Sequence, residues 1–234
     1  MPLERSAHPL HGPLTEVLAE AGLPVAPEVL DTLLGYLDLL QRWNATYNLT
    51  AVRDPHDMLR QHLADCLAVV GPMARQLDSA IDDAGRSAPC SLRVLDVGSG
   101  GGLPGVVLAV MFPYWQVVCV DTVGKKAAFI RQVAAELGLR NLGAEHARVK
   151  ALNGGPFDVI TSRAFASLVD FTQLSRKSLA PQGVWMAMKG KLPTDELAAL
   201  PGDIEVFHVE PLVVPGLNAE RCLVWMRLKT EVRP

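Results

Sequence analysis

Leu95-Asp-Val-Gly-Ser-Gly-Gly-Gly-Leu-Pro-Gly105 follows the apolar run Leu92-Arg-Val-Leu95 and leads into Val106-Val-Leu-Ala-Val-Met-Phe112. The order is that of a buried strand, a glycine-rich turn and a helix. Glycine lets the backbone take tight conformations and lets a ligand come close. Two registers fit. Gly100, Gly102 and Gly105 match G-x-G-x-x-G, a dinucleotide fingerprint that any glycine-rich loop of this length can meet. Asp96, Gly98, Gly100 and Gly102 match acid-x-Gly-x-Gly-x-Gly. An acid two residues before the first glycine would repel a pyrophosphate. It suits a ligand with a cationic amino group, such as the methionine part of S-adenosylmethionine. The plainer alternative is a tight strand-to-helix turn without a ligand.

Downstream the same alternation repeats. Strands are expected at Gln116–Asp121, Leu142–Glu145, Phe157–Ser162, Gly183–Lys189, Ile204–Val209 and Cys222–Leu228. Helices are expected at Gly124–Leu137 and Leu168–Leu179. Such alternation implies a mostly parallel sheet with helices on both faces, and a ligand crevice at the carboxyl ends of the strands. Asp121 closes the second strand at the spacing, about 20 residues, of an acid that bonds ribose hydroxyls. Its other reading is a helix N-cap.

Upstream the pattern is helical. Pro27 and Glu28 suit a helix start, and Leu30, Leu33, Leu34, Leu37 and Leu40 form one apolar face. Asp54-Pro55 opens a second helix carrying Leu59, Leu63, Cys66 and Val70 on one side. The polar and aromatic stretch Arg42–Arg53 lies between them. Residues 78–91 are polar, small and aperiodic and read as a linker. The chain therefore divides into a helical N-terminal extension, 1–90, and an α/β part, 91–234.

Composition bounds the function. The chain has 234 residues, 49% hydrophobic and 20% charged, with net charge −3. That excludes disorder. The longest apolar run, Val106–Phe112, is far short of the roughly 20 residues that span a bilayer. No apolar leader opens the chain, so a cytoplasmic protein is expected. Four scattered cysteines with no CxxC pair indicate neither a zinc cage nor a disulfide framework, and no metal is expected. The net charge hides an asymmetry. Residues 1–120 hold 7 basic and 13 acidic residues, net −6, and residues 121–234 hold 15 and 12, net +3.

Asp96-Val-Gly-Ser-Gly-Gly-Gly-Leu-Pro-Gly, Asp121-x-x-Gly-Lys-Lys, Phe129-x-Arg-Gln-Val, Ser162-Arg-Ala-Phe-Ala and Met188-Lys-Gly together resemble the glucose-inhibited division protein B (RsmG) family. These are 16S ribosomal RNA guanine-N7 methyltransferases. Arg42-Trp-Asn-x-x-x-Asn-Leu-Thr and His62-x-x-Asp65 match the N-terminal part, and the likeness runs over roughly residues 28 to 229. The resemblance implies a class I methyltransferase fold, Rossmann-like with a seven-stranded mostly parallel sheet, plus the helical extension. It implies S-adenosylmethionine as methyl donor and N7 of one guanine in a 16S RNA loop near the decoding site as target. Family cofactor contacts carry over to Gly98, Leu103, the main-chain amides of Val149 and Lys150, and Arg163, with Asp121 as the ribose acid. Gly101 stands where members often carry proline or alanine, a departure expected to be harmless. Lys150 stands where many carry glutamate, which puts a side-chain role there in doubt.

The chemistry can be argued without the family. Guanine N7 has a lone pair and no proton, so methylation there is in-line transfer that needs no general base. Proximity and orientation carry it. Basic groups then hold phosphates and position the loop. Lys125, Arg148, Arg163 and Lys189 follow or close strand-like segments, so all four are expected around one crevice. Lys126 can do the work of Lys125, and Arg163 has the alternative of a structural ion pair. His62 and Asp65, one helical turn apart, read as a structural pair. Trp43 and Tyr47 either stack on a base or fill core. The RNA is the expected partner, within the small subunit or free, with no obligate protein partner. A methyltransferase on another RNA or a small molecule, a nicotinamide oxidoreductase and a non-catalytic S-adenosylmethionine-binding regulator remain as alternatives.

Overall fold

The structure is a computed structural model that describes residues 8–77 and 91–229. The linker at 78–91, apart from Ser91, lies outside the described residues, as does Cys90.

Seven strands form the sheet: β1 (Arg93–Val97), β2 (Gln116–Asp121), β3 (Leu142–His146), β4 (Phe157–Arg163), β5 (Leu179–Lys189), β6 (Ile204–Pro211) and β7 (Cys222–Leu228). Their spatial order is β3-β2-β1-β4-β5-β7-β6. The first five are mutually parallel, and β7 runs antiparallel between β5 and β6. Alternation along each central strand feeds two cores. Val94, Met186, Met188, Leu223 and Trp225 serve one face. Leu95, Val97, Trp185, Ala187, Val224 and Met226 serve the other, together with Leu168 and Phe171 of α8 (Leu168–Ser175).

The first face is covered by α6 (Gly105–Met111), α7 (Gly124–Glu136) and the N-terminal helices. These are α1 (His11–Glu20), α2 (Pro27–Tyr47), then α3 (Pro55–Met58), a π-helical stretch (Leu59–Ala64), α4 (Asp65–Leu67) and α5 (Val70–Gln76). The leucines at 30, 33, 34, 37 and 40 are buried as their spacing predicts, and α2 lies against α6 and α7. Asp54 caps α3 by accepting from the Asp57 amide.

Three expectations need correction. Helix α1 was not anticipated; its buried stripe of Leu14, Val17 and Leu18 is short and interrupted by Gly12 and Pro13. Helix α2 does not stop near Leu40. It runs through Arg42–Tyr47 because Asn44, though polar, is buried with its side chain bonded to Val52 O and Thr50 N, and it ends at Asn48 in a left-handed conformation. The helix expected over Leu168–Leu179 ends at Ser175, and Leu179 already belongs to β5.

One long-range bond ties the helical layer to the glycine turn. The Tyr36 hydroxyl, wholly buried on α2, donates to the Gly101 carbonyl at 2.8 Å. Tyr36→Phe keeps the ring and leaves that carbonyl without its donor. Urea denaturation is expected to register a loss of about 1–2 kcal/mol; an unchanged midpoint would show that the bond contributes nothing.

Candidate active site

The glycine turn lies at the carboxyl end of β1, between the ends of β2 and β4. Gly98, Gly100 and Gly102 all have positive φ (70°, 58° and 89°), which L side chains rarely adopt. A Cβ at Gly102 would lie 2.6 Å from Val106 Cγ2, so that glycine is needed for close packing of the helix. A Cβ at Gly98 would meet nothing within 4 Å. The backbone there opens onto free space.

Asp96 is not in that space. Residues of β1 alternate, and Asp96 falls on the face beneath α6, fully buried. Its Oδ2 accepts from the Gly105 amide at 2.9 Å, and its Oδ1 has no partner. The expectation that it faces a ligand's ammonium is therefore corrected. A carboxylate suits the exposed N–H groups of a helix start as well as it suits an ammonium, and spacing alone does not separate the two. Buried away from the turn's open side, the Asp96 charge does not bear on whether a ligand there carries a pyrophosphate. Burial pushes the Asp96 carboxyl up to about 7, against the pull of the Gly105 amide and Arg163.

Two cavities meet at Gly98. The first, about 590 Å³, is lined by Val97, Asp121, Lys126, Arg148, Val149 and Lys150 among others, at the ends of β1, β2 and β3. Asp121 accepts from the Gly100 amide (3.0 Å) and the Val123 amide (2.8 Å) and lies 3.7 Å from Lys126 Nζ. It thus pins the glycine turn and also opens the path into α7, while facing the cavity. Val149 and Lys150 sit in a single 3-10 turn after β3, with Arg148 just before it.

The second cavity, about 630 Å³, joins the ends of β1, β4 and β5 to the helical layer and is lined by Ser99, Leu103, Arg163, Lys189, Arg221, His62 and Asp65 among others. Arg163 Nη1 bonds Asp65 Oδ2 at 3.4 Å and the Gln61 carbonyl at 3.3 Å. Burial works against its charge, but the acidic groups around it, Cys66 first and then Asp65 and Tyr36, outweigh this and its pKa is raised. Lys189 Nζ bonds Glu196 at 2.8 and 3.0 Å and the Phe165 carbonyl at 3.3 Å. His62 Nε2 meets Thr50 Oγ1 at 2.7 Å, and burial, then Arg163, lowers its pKa.

The sequence-based candidates divide accordingly. Gly98, Gly100, Leu103, Asp121, Arg148, Val149, Lys150, Arg163 and Lys189 line the joined cavities, whereas Gly102 faces Val106 and Ile130 instead. Lys125 does not; its ammonium donates to the Tyr47 carbonyl at the end of α2, 2.6 Å away, and Lys126 takes the place beside Asp121. His62 and Asp65 bond other partners rather than each other. Trp43 packs on Phe129, while Tyr47, its ring tilted against Trp43, stays 42% exposed. The departure at Gly101 is tighter than expected, since a Cβ there would come within 3.2 Å of Leu40 Cδ1.

Arg221 was missed. It precedes a strand, and only residues that follow or close strands were considered. Because β7 is antiparallel, Cys222 pairs with Lys189, and a residue just before β7 reaches the same edge as the end of β5.

A family model described as GidB, rRNA small subunit methyltransferase G, matches residues 29–224. The chain belongs to this family. A ribosomal RNA small subunit methyltransferase G from Leptothrix cholodnii is 61% identical over 206 residues, 88% of this chain and 90% of that protein. One from Paracidovorax citrulli is 56% identical over 223 residues, 95% of this chain and 91% of that protein. Among solved structures, a SAM-dependent methyltransferase from Aquifex aeolicus superposes with a TM-score of 0.51 at 16% identity, over 74% of this chain and 98% of that one. TrmN from Thermus thermophilus gives 0.51 at 20% identity, over 70% of this chain and 48% of that one. These structures share the fold of this methyltransferase G family member. Among the described residues no helix is long and apolar enough to cross a membrane.

The raised Asp96 pKa fixes a sign. Between its ordinary 3.8 and about 7 the folded protein holds a proton that the unfolded chain has released. Stability therefore falls as pH rises through that window, and the loss is complete above it. In Asp96→Asn, uncharged throughout, urea midpoints are expected to lose this fall between about pH 5 and about pH 7.5. Profiles of parent and variant that run parallel would refute it.

Proposed function

We propose that this protein transfers a methyl group from S-adenosylmethionine to N7 of one guanine in a 16S ribosomal RNA loop near the decoding site. The observation that carries the reading is the pair of chambers meeting at Gly98, in a chain of the methyltransferase G family. The backbone at Gly98, where a Cβ would meet no neighbour within 4 Å, leaves room for a ligand lying across the turn.

S-adenosylmethionine, when bound, supplies an electrophilic methyl group on a sulfonium. Residues of the β2–β3 side would hold it. Asp121 keeps lone pairs beyond its two amide bonds and can accept from ribose hydroxyls. Gly98, Leu103 and the amides of Val149 and Lys150 complete that side, with Arg163 facing it across the turn. The chamber under the helical layer takes the base. Guanine N7 brings its own lone pair and loses no proton, so the residues here orient rather than abstract. His62 is held to Thr50 and carries no charge near neutrality, in keeping with this.

Arg163 and Lys189 are the cations of this chamber drawn from the parallel strands, and Arg148 stands at the rim of the other. Their number is small, so nonspecific attraction to RNA is limited and the salt slope modest. Shape, in free RNA or within the small subunit, supplies the rest, and the cytoplasm is where such a substrate is met. The helical part, 1–90, closes the site of the 91–234 methyltransferase part.

Primer extension over 16S RNA from a deletion strain, after cleavage at N7-methylguanine, is expected to lose one stop; an unchanged pattern would sink the reading. In transfer assays with naked 16S RNA and small subunits, Arg163→Ala is expected to abolish methylation while unfolding stays cooperative. Loss of that cooperativity would assign Arg163 to structure instead. Asp121→Ala is expected to weaken S-adenosylmethionine binding in calorimetry by about tenfold or more. Unchanged affinity would remove Asp121 from the cofactor side.

A further inference from the structure

His62-x-x-Asp65 is a motif that the proposed transfer leaves without a task. Asp65, on α4 directly after the π-helical stretch, is buried, its side chain 4% exposed. Its Oδ1 accepts from Arg221 Nε at 2.7 Å and its Oδ2 from Arg163 Nη1 at 3.4 Å. One carboxylate of the helical layer thus joins the end of β4 to the residue before β7.

The arrangement is more than a fold needs. A single arginine would balance Asp65. Two bring like charges together and leave the group with net +1, a cost unless something negative is received. Both guanidinium side chains stay partly open to the chamber, Arg163 at 23% and Arg221 at 27%. Arg221 Nη1 donates to the Glu220 carbonyl at 2.9 Å. Among the described residues, Nε and Nη2 of Arg163 and Nη2 of Arg221 make no hydrogen bond. Nε and Nη2 of Arg163 form one edge of its fork, and Nη2 of Arg221 stands beside it as a further donor whose aim is fixed by the Asp65 bond, a set that suits phosphate oxygens.

We infer that Asp65 is a positioning residue that holds Arg221 beside Arg163 so that Arg221 receives a phosphate of the RNA substrate in the chamber where Lys189 also lies. The inference rests on the methyltransferase reading. It gives the helical layer a defined part in the site: α4 sets the aim of cations that belong to the sheet. Lys189 is already taken by Glu196, which leaves the Asp65 pair as the cations with free donors there.

The test is steady-state transfer to small subunits from a deletion strain, with KM for the subunit and kcat measured separately. Arg221→Ala is expected to raise KM by about tenfold with kcat little changed, the size of one charge-assisted hydrogen bond. Arg221→Lys keeps the charge but loses the Nε bond to Asp65, and is expected to share most of that rise. Asp65→Asn is expected to lower kcat/KM at least as much, and Asp65→Asn with Arg221→Ala to lose no more than Asp65→Asn alone. A purely structural Asp65 would instead give losses that multiply, and would leave the KM of the lysine variant at the parent value. Either result overturns the inference. If Asp65→Asn does not fold, the two Arg221 variants decide it by themselves. Failure of the unaltered protein to methylate either the subunit or naked 16S RNA would overturn the methyltransferase reading itself, whereas full activity in every variant would overturn only the role of Asp65.

Discussion

The hydrogen bond from the Gly105 amide to the buried Asp96 carboxylate is the constraint on which the site depends. It fixes where β1 ends and α6 begins, and the eight residues between Asp96 and Gly105 have to turn within that distance. There is no room for a side chain at Gly105, where a Cβ would run into Cys119 Sγ and Asp96. The turn is then held from two further sides. Asp121 accepts from the Gly100 amide at the end of β2, and Tyr36 donates a hydrogen bond to the Gly101 carbonyl from α2. Held at those points, the loop leaves Gly98 facing the space between two chambers. A loop with this many glycines loses much entropy on folding, and its fixed form requires such external bonds.

Electrostatics in the site follow from pairing rather than from overall charge. The chain is acidic by net charge, yet the chamber under the helical layer is lined by Arg163, Lys189 and Arg221. Asp65 and Glu196 face these cations and are bonded to them. Each carboxylate limits the repulsion that crowded cations would feel and fixes the direction in which their remaining donors point. Attraction at long range is thereby traded for geometry at short range, which suits a substrate whose target is one base among many.

Much of this was legible in the sequence. Short apolar runs alternating with helix-like stretches placed the strands, leucine spacing placed the buried face of α2, and glycines after a strand placed the turn. Asp121 and Arg163 could be picked out because they end parallel strands, and all such ends meet at one edge. What was not legible had physical causes. Asp96 was misdirected because an ammonium and a helix N-terminus make the same demand on a carboxylate. Lys125 and Lys126 are neighbours of the same chemistry, and only the position of α2 shows which of them is taken by Tyr47. Helix α2 outran its apolar stripe because Asn44 found partners eight and six residues on.

The amino-acid sequence by itself determined the order of elements, the glycine turn and the family, because these rest on local periodicity and on residues close together in the chain. The tertiary structure alone decided which charged groups share the chamber. Arg163 and Arg221 lie 98 and 156 residues from Asp65 along the chain, and the three meet only because β7 reverses direction and α4 lies over the strand ends. No local pattern encodes that meeting, since strand direction and helix placement are settled by burial of two faces of one sheet.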